Sequence, residues 1–329
     1  MTSTPLVLKA AAVILLVFVV LVALVQVLAA KRESAARVEY PPAGRFVDVD
    51  GANIHLKTAG QGPDVVLIHG ASGSMRDYTF GLAERLSKHN RVTTVDRPGL
   101  GWSERPLGYR GVFSLDAEPP QLQARMLQQA VAAVGVRNPI VVGHSFGGAV
   151  ALAWALEHPA ETSALVLLGA ASNPWPGSLG PFYRWNAGLL GSALLIPALT
   201  AFTPNSVIEN TTSSIFAPQI PPDGYLDHFG PEMTLRRDTM RANVQQVNGL
   251  RPHIVRMAEQ YPMMRLPVEI LHGEEDTTVP LDIHSEPLSR MIPEAVLTIL
   301  GGVGHMPHHA EPDVIVAAID RAARRAGLR

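Results

Sequence analysis

The 329-residue sequence predicts an α/β protein: a mostly parallel central sheet flanked by helices, a helical insertion late in the chain, and one N-terminal transmembrane helix. Three observations carry that prediction. Short apolar runs, unbroken by polar residues, alternate with stretches of helical periodicity, which is the pattern of strands buried on both faces. The rhythm stops over residues 174–262, which are rich in Pro, Trp, Tyr and Gly and hold no clear strand, and then resumes. A continuous apolar run, Ala10–Ala30, stands ahead of everything else, with Gln26 its only polar residue.

Taken in order, the first element is that run. At ~1.5 Å per residue it makes a helix roughly 30 Å long, the thickness of a bilayer's hydrocarbon core. A cleaved signal peptide is the rival, since Val27-Leu28-Ala29 permits cleavage. The run is longer than the roughly 7–15 apolar residues of a signal core, which favours an uncleaved single-pass anchor over residues 1–30. Lys9 precedes the run and Lys31, Arg32 and Arg37 follow it. That count leans toward a cytoplasmic C-terminal side without fixing the side, because long domains are translocated against it.

Residues 31–44 read as a linker, charged and then carrying Pro41-Pro42 and Gly44. Phe46–Val49 and Ile54–Leu56 flank Asp50-Gly51, a hairpin signal. Val65–Ile68 reads as a strand, followed by a helix near Met75–Ser87 and a strand at Val92–Val95. A helix near Pro120–Val134 starts on proline and stops at Gly135. Ile140–Val142, a helix near Phe146–Glu157, and Leu165–Leu168 complete the first half of the core, 45–173. After the insertion come Val268–Leu271, a helix near Leu281–Met291, Val296–Leu300 and a last helix near Pro312–Ala326, within 263–329.

Composition excludes several function classes. Lys+Arg total 27 against 29 Asp+Glu, which gives no basic surplus for nucleic acid. The absence of cysteine removes disulfides, thiolate metal sites and a cysteine nucleophile together.

The chemistry concentrates at strand ends. Gly143-His144-Ser145-Phe146-Gly147 fits G-x-S-x-G directly after a buried strand and directly before a helix. A serine there turns sharply, its flanking glycines avoid clashes, and its hydroxyl stands above the sheet edge. A neutral serine needs a base, and the base needs an orienting acid. His305 lies just past the last strand and Asp276 just past the strand before it. Parallel strands share one C-terminal edge, so Ser145, Asp276 and His305 are expected to converge there. His308 and His309 compete for the base, but they lie nearer the last helix. Glu274 and Glu275 compete for the acid, but they leave the turn earlier, and Asp282 reads as a helix cap. An oxyanion needs backbone donors: Phe146 N–H, and Ala71 N–H or alternatively Ser72 N–H from His69-Gly70-Ala71-Ser72-Gly73. Asp96-Arg97 reads as an ordering turn beneath the site.

In order and spacing, His69-Gly70 with Gly73, Asp96 to Gly101, Gly143 to Gly148, Gly273 to Asp276 and Gly304-His305 resemble the α/β-hydrolase fold superfamily. The resemblance covers about residue 45 to the C-terminus apart from the insertion. It implies that 174–262 is a helical cap over the pocket, and that neither metal nor organic cofactor is needed. Dehalogenase and epoxide-hydrolase relatives carry aspartate where this chain has Ser145, which argues against both activities.

The expected activity is hydrolysis of carboxylic esters by a Ser-His-Asp triad. Trp175, Phe182, Tyr183, Trp185 and the apolar run 187–202 suggest a lipophilic substrate, with the bilayer engaged through the N-terminal helix. Acyl transfer, carbon–carbon bond hydrolysis or cofactor-free perhydrolysis on the same triad are the alternatives, as is a membrane-tethered binding protein without catalysis.

Overall fold

Helix α1 (Thr4–Glu39) opens the chain in a computed structural model that describes residues 4–329. The first three residues of the expected anchor lie outside the described residues. Leu6 to Leu21 are exposed along the whole helix circumference. The helix does not end with the apolar run. Residues 31–39, expected as linker, continue it to Glu39, and Pro41-Pro42 end it. The reason is tertiary. Ala29, Ala36 and Tyr40 are buried against the insertion, and Arg237 of the insertion is paired with Glu33 at 2.8 Å.

The sheet begins with β1 (Arg45–Val49) and β2 (Ala52–Ala59), an antiparallel hairpin. Asp50 and Gly51 turn it with φ of 52° and 78°, the left-handed pair that a two-residue turn between twisted strands demands. Then follow β3 (Asp64–Ile68), α2 (Arg76–Thr79), α3 (Leu82–Ser87), β4 (Arg91–Val95), α4 (Pro120–Ala133), β5 (Ile140–His144), α5 (Phe146–Glu157) and β6 (Ala164–Leu168). The helix expected over Met75–Ser87 is thus two short helices, broken at Phe80-Gly81, where the Gly81 backbone is extended.

The insertion contributes α6 (Pro181–Asn186), a wide turn at Gly191–Leu195, α7 (Ile196–Phe202), α8 (Asn205–Phe216), α9 (Tyr225–Phe229) and α10 (Arg237–Ala258). The core resumes with β7 (Val268–Gly273), α11 (Ser285–Met291), β8 (Ala295–Leu300), α12 (Pro307–Ala310) and α13 (Pro312–Arg325). Helix α11 starts four residues later than its periodicity suggests, because the chain up to His284 is spent returning from the turn around Asp276.

Eight strands pair in the order β1-β2-β4-β3-β5-β6-β7-β8, parallel from β4 onward. Their register aligns the C-terminal ends. Ile68 lies opposite both Val95 and Gly143, His144 opposite Leu168, and Gly273 opposite Leu300. The turns that begin at His69, Asp96, Ser145, Gly169 and Glu274 therefore open on one edge. Two apolar layers hold the sheet. One is covered by α4, α5 and α10, and the other by α3 and α13. Helix α5 is buried from Phe146 to Ala155, so its start is held rigidly under the shared edge.

Candidate active site

The β5–α5 turn is built by close approach. Ser145 has φ 53°, ψ −120°, which bends the chain from strand to helix within one residue. That bend is possible only because glycines flank it. A Cβ on Gly147 would lie 2.2 Å from the Ile68 carbonyl oxygen, and one on Gly143 would lie 2.4 Å from the Gly147 oxygen. The Ser145 N–H donates to Leu168 O at 3.0 Å, and its carbonyl accepts from Ala171 N–H at 3.1 Å. These bonds tie the strained residue to β6 and the chain beyond it. Such strain persists only where the surroundings over-determine it.

Asp276 and His305 meet directly. His305 Nδ1–H donates to Asp276 Oδ2 at 2.7 Å, and both side chains are buried. The other carboxylate oxygen accepts from the Thr278 and Val279 N–H groups at 2.9 Å each. Burial alone would raise the Asp276 pKa. Its bonds to His272 and His305 outweigh burial and hold the carboxyl well below the usual carboxylate range. The competitors separate from this pair. Glu274, Glu275 and Asp282 are exposed, while His308 and His309 turn to Asp77 at 3.0 and 2.7 Å.

Ser145 stands beside the pair. The ring of its neighbour His144 lies 4.8 Å from the His305 ring, and a Cβ on Gly169 would touch both Asp276 and His305. Among the described residues the Ser145 hydroxyl caps nothing and bonds to neither partner, so the closed contact is His305–Asp276.

The third strand end completes the site. The 69–73 loop passes so close to Ser145 that a Cβ on Gly70 would lie 3.1 Å from the Ser145 Cβ. Arg97 holds this loop from below. It donates to His69 O and Gly70 O at 3.0 Å, its N–H donates to His69 Nε2 at 3.0 Å, and its guanidinium covers the Phe146 ring at 4.3 Å. His69 Nε2 is thereby the acceptor, and Nδ1–H donates to Gly70 O at 2.9 Å. Burial, then the Arg97 charge, pushes His69 down to about 4, so it is neutral at pH 7. Phe146 is the first residue of α5, whose N–H has no acceptor within the helix. The Ser72 N–H is already committed, since it donates to Asn243 Oδ1 of α10 at 2.6 Å. Of the two loop donors considered from the sequence, Ala71 is the one not spent in this way.

Three supporting residues escaped the sequence reading. His144 Nε2–H donates to His305 O at 2.8 Å and so positions the turn that carries the imidazole. His272, with Nε2 at 3.2 Å from Asp276 Oδ2, braces the acid. Asn243 returns a second bond to Ser72, Nδ2–H to Oγ at 2.8 Å. The last two leave no local signal, and His144 occupies the first x of G-x-S-x-G, a place that the motif leaves open. A separate pocket of about 560 Å³ lies between the loop after β4 and the start of α10, lined by Trp102, Glu104, Arg105, Arg236 and Arg241 with Arg37 of α1, and Ser145 is not part of its lining.

Comparison with known proteins identifies the fold. A family model described as alpha/beta hydrolase fold matches residues 63–312. A 2-hydroxymuconate semialdehyde hydrolase from Pseudomonas putida is 28% identical over 281 residues, covering 82% of this chain and 91% of its own. Among solved structures, a meta-cleavage product hydrolase from Pseudomonas fluorescens IP01 superposes with TM-score 0.66 at 23% identity, over 87% of this chain and 99% of that one. An esterase from Rhodococcus sp. ECU1013 superposes with TM-score 0.63 at 24% identity, over 85% and 98%.

Proposed function

The chain belongs to the alpha/beta hydrolase fold family, and from that premise we propose that it is a membrane-anchored serine hydrolase acting on carboxylic esters of apolar substrates. The observation that carries this reading is the closed His305–Asp276 contact at 2.7 Å beside a serine on a strained turn. Because Nδ1 is held by Asp276, the free nitrogen of His305 is Nε2. Nε2 takes the Ser145 proton as Oγ attacks the ester carbonyl. The Phe146 and Ala71 N–H groups hold the resulting oxyanion, and one such donor is worth ~10²–10³ in turnover. The same proton then passes to the departing alkoxide. Water, deprotonated by His305, hydrolyses the acyl-serine and releases the acid. Asp276, held ionised, keeps the imidazole in its tautomer and balances its transient charge.

In this reading residues 1–30 are the anchor, 45–173 and 263–329 the core, and 174–262 the cap, with α1 reaching through to the cap instead of ending in a linker. Lipophilic substrates are supported by the uncharged stretch from Trp185 to Ile208 within the cap.

A second reading has its own support. The curated relative covering 91% of its length is named as a 2-hydroxymuconate semialdehyde hydrolase, a carbon–carbon bond hydrolase. The same triad would then protonate a carbon leaving group in place of an alkoxide. The test is fluorophosphonate labelling of the full chain in detergent beside Ser145→Ala, followed by turnover of p-nitrophenyl esters of increasing acyl length and of 2-hydroxymuconate semialdehyde. Labelling lost only in the variant, with turnover highest on medium or long esters, is the expected result. Preference for the semialdehyde selects the second reading. Turnover peaking at acetyl esters removes the lipophilic assignment, and equal activity in Ser145→Ala removes the triad.

A further inference from the structure

We propose that the cap is itself a membrane-docking surface, with α7 and the turn before it seated in the same bilayer leaflet that α1 enters. This rests on the reading of α1 as a membrane span. The first observation is where α1 meets the cap. Beyond Leu21 its circumference is no longer uniformly exposed. Val22, Val25, Gln26, Leu28, Ala29, Arg32, Glu33, Ala36 and Tyr40 form one covered stripe at helical spacing. The lower part of the stripe packs on Met233 and Trp102. The upper part packs along α7. Arg32 donates to Thr203 O at 2.6 Å, and Arg237 reaches up to Gln26 and Glu33.

The second observation is arithmetic. A hydrocarbon core of ~30 Å takes about 20 residues of helix. If the span begins after Lys9, its last residues are the ones that lie against α7, and α7 is within the hydrocarbon boundary. If the span begins at Leu6, it ends near Val25, and α7 starts at the headgroup level. In neither placement does α7 stand clear of the leaflet.

The third observation is what the cap presents there. No charged residue occurs from Trp185 to Ile208. Trp185, Leu190 and Phe202 are 68%, 74% and 57% exposed, with Leu189, Leu195 and Val207 exposed beside them. An apolar surface of this kind on a water-facing lid is a liability, and against a leaflet it is buried. Tryptophan suits the interfacial depth. After Phe202 the chain turns by 99° into α8, which carries the polar run Glu209–Ser214 away. A rigid helix already in the membrane and an uncharged face at the same height commit this surface to lipid.

The chain has no cysteine, so a single introduced one is the only labelling site. The experiment uses the full chain in phosphatidylcholine vesicles, spin-labelled singly at Val17→Cys, Leu190→Cys, Phe202→Cys or Val296→Cys. Val296 is exposed on β8, the edge strand opposite the hairpin. Collisions with oxygen, concentrated in lipid, are compared with those of a water-soluble nickel chelate. The expected result is oxygen-dominated relaxation at positions 17, 190 and 202 and nickel-dominated relaxation at 296. Nickel dominance at 190 and 202 with oxygen dominance at 17 overturns the docking and leaves the span. Nickel dominance at 17 overturns the span and the docking together. Shielding of 190 and 202 from both reagents means a protein partner, such as a second copy, covers the face, which also overturns the proposal.

Discussion

Asn243 is the residue of the insertion whose loss tests how far the proposed cap is part of the machinery. It sits on α10, is buried, and makes two bonds to Ser72, accepting its N–H at 2.6 Å and donating to its hydroxyl at 2.8 Å. Ser72 has φ 55° and is held on the other side by Thr234, whose hydroxyl donates to its carbonyl at 2.8 Å. Ser72 follows Ala71 directly, so the orientation of the Ala71 N–H depends on this anchorage. In Asn243→Ala both Asn243 bonds go. At ~0.5–1.5 kcal/mol each, the anchored loop loses about 1–3 kcal/mol relative to a relaxed one. At 1.36 kcal/mol per decade, the aligned-to-relaxed equilibrium constant falls by about 5- to 150-fold, which is the upper bound on the loss of enzyme with the donor aligned. The assay is steady-state ester hydrolysis by the full chain in detergent, with kcat and KM resolved. The expected loss lies in kcat, because the oxyanion forms only after substrate is bound. Asn243→Asp keeps an acceptor for the N–H and for the Ser72 hydroxyl, and is expected to recover most of kcat. An unchanged kcat in Asn243→Ala, alongside a lowered melting temperature, would refute the argument and reduce the residue to packing.

In Asp276→Asn an amide N–H would face the His305 ring, so Nδ1 becomes an acceptor and Nε2 carries the proton. By analogy with the same swap in other triads, kcat falls by ~10⁴ with the fold retained, read by circular dichroism beside turnover. Gly147→Ala places a methyl 2.2 Å from Ile68 O, which cannot yield without moving β3. It is expected to cost about 1–3 kcal/mol in urea unfolding and to abolish fluorophosphonate labelling. Stability also carries a pH signature. His69 and His284 are each lowered from 6.5 to about 4, by burial first and then by Arg97 and His272 respectively. Between those values the unfolded chain binds protons that the folded chain does not, so stability is full above about 6.5 and falls as pH drops toward 4. Each contributes up to about 3 kcal/mol at 1.36 kcal/mol per unit. A urea midpoint constant from pH 7 to pH 4.5 would contradict this.

Much of the fold was legible because its signals are local. A buried strand followed by Gly143 to Gly147 must turn there, since only glycine tolerates the approach to Ile68 and its own neighbours. Pro120 and Gly135 bound a helix by their own backbone limits. Helix α5 matches its expected span residue for residue. Parallel strands with a common edge then bring the ends of β5, β7 and β8 to one place, which is why Ser145, Asp276 and His305 are legible as candidates in the sequence.

The charged stretch after Ala30 illustrates the opposite case. Lys31 to Glu39 has the composition of a linker, yet it is helical because Glu33 finds Arg237, 204 residues away. His144 and His305 are 161 residues apart, and Asn243 and Ser72 are 171 apart. Local sequence by itself determined the backbone turns, the strand runs and the residue types that chemistry needs. Which buried polar atom satisfies which other was decided only by the tertiary structure. A hydrogen bond in a dry interior depends on what folding brings within 3 Å, and nothing in a local window of sequence encodes that distance.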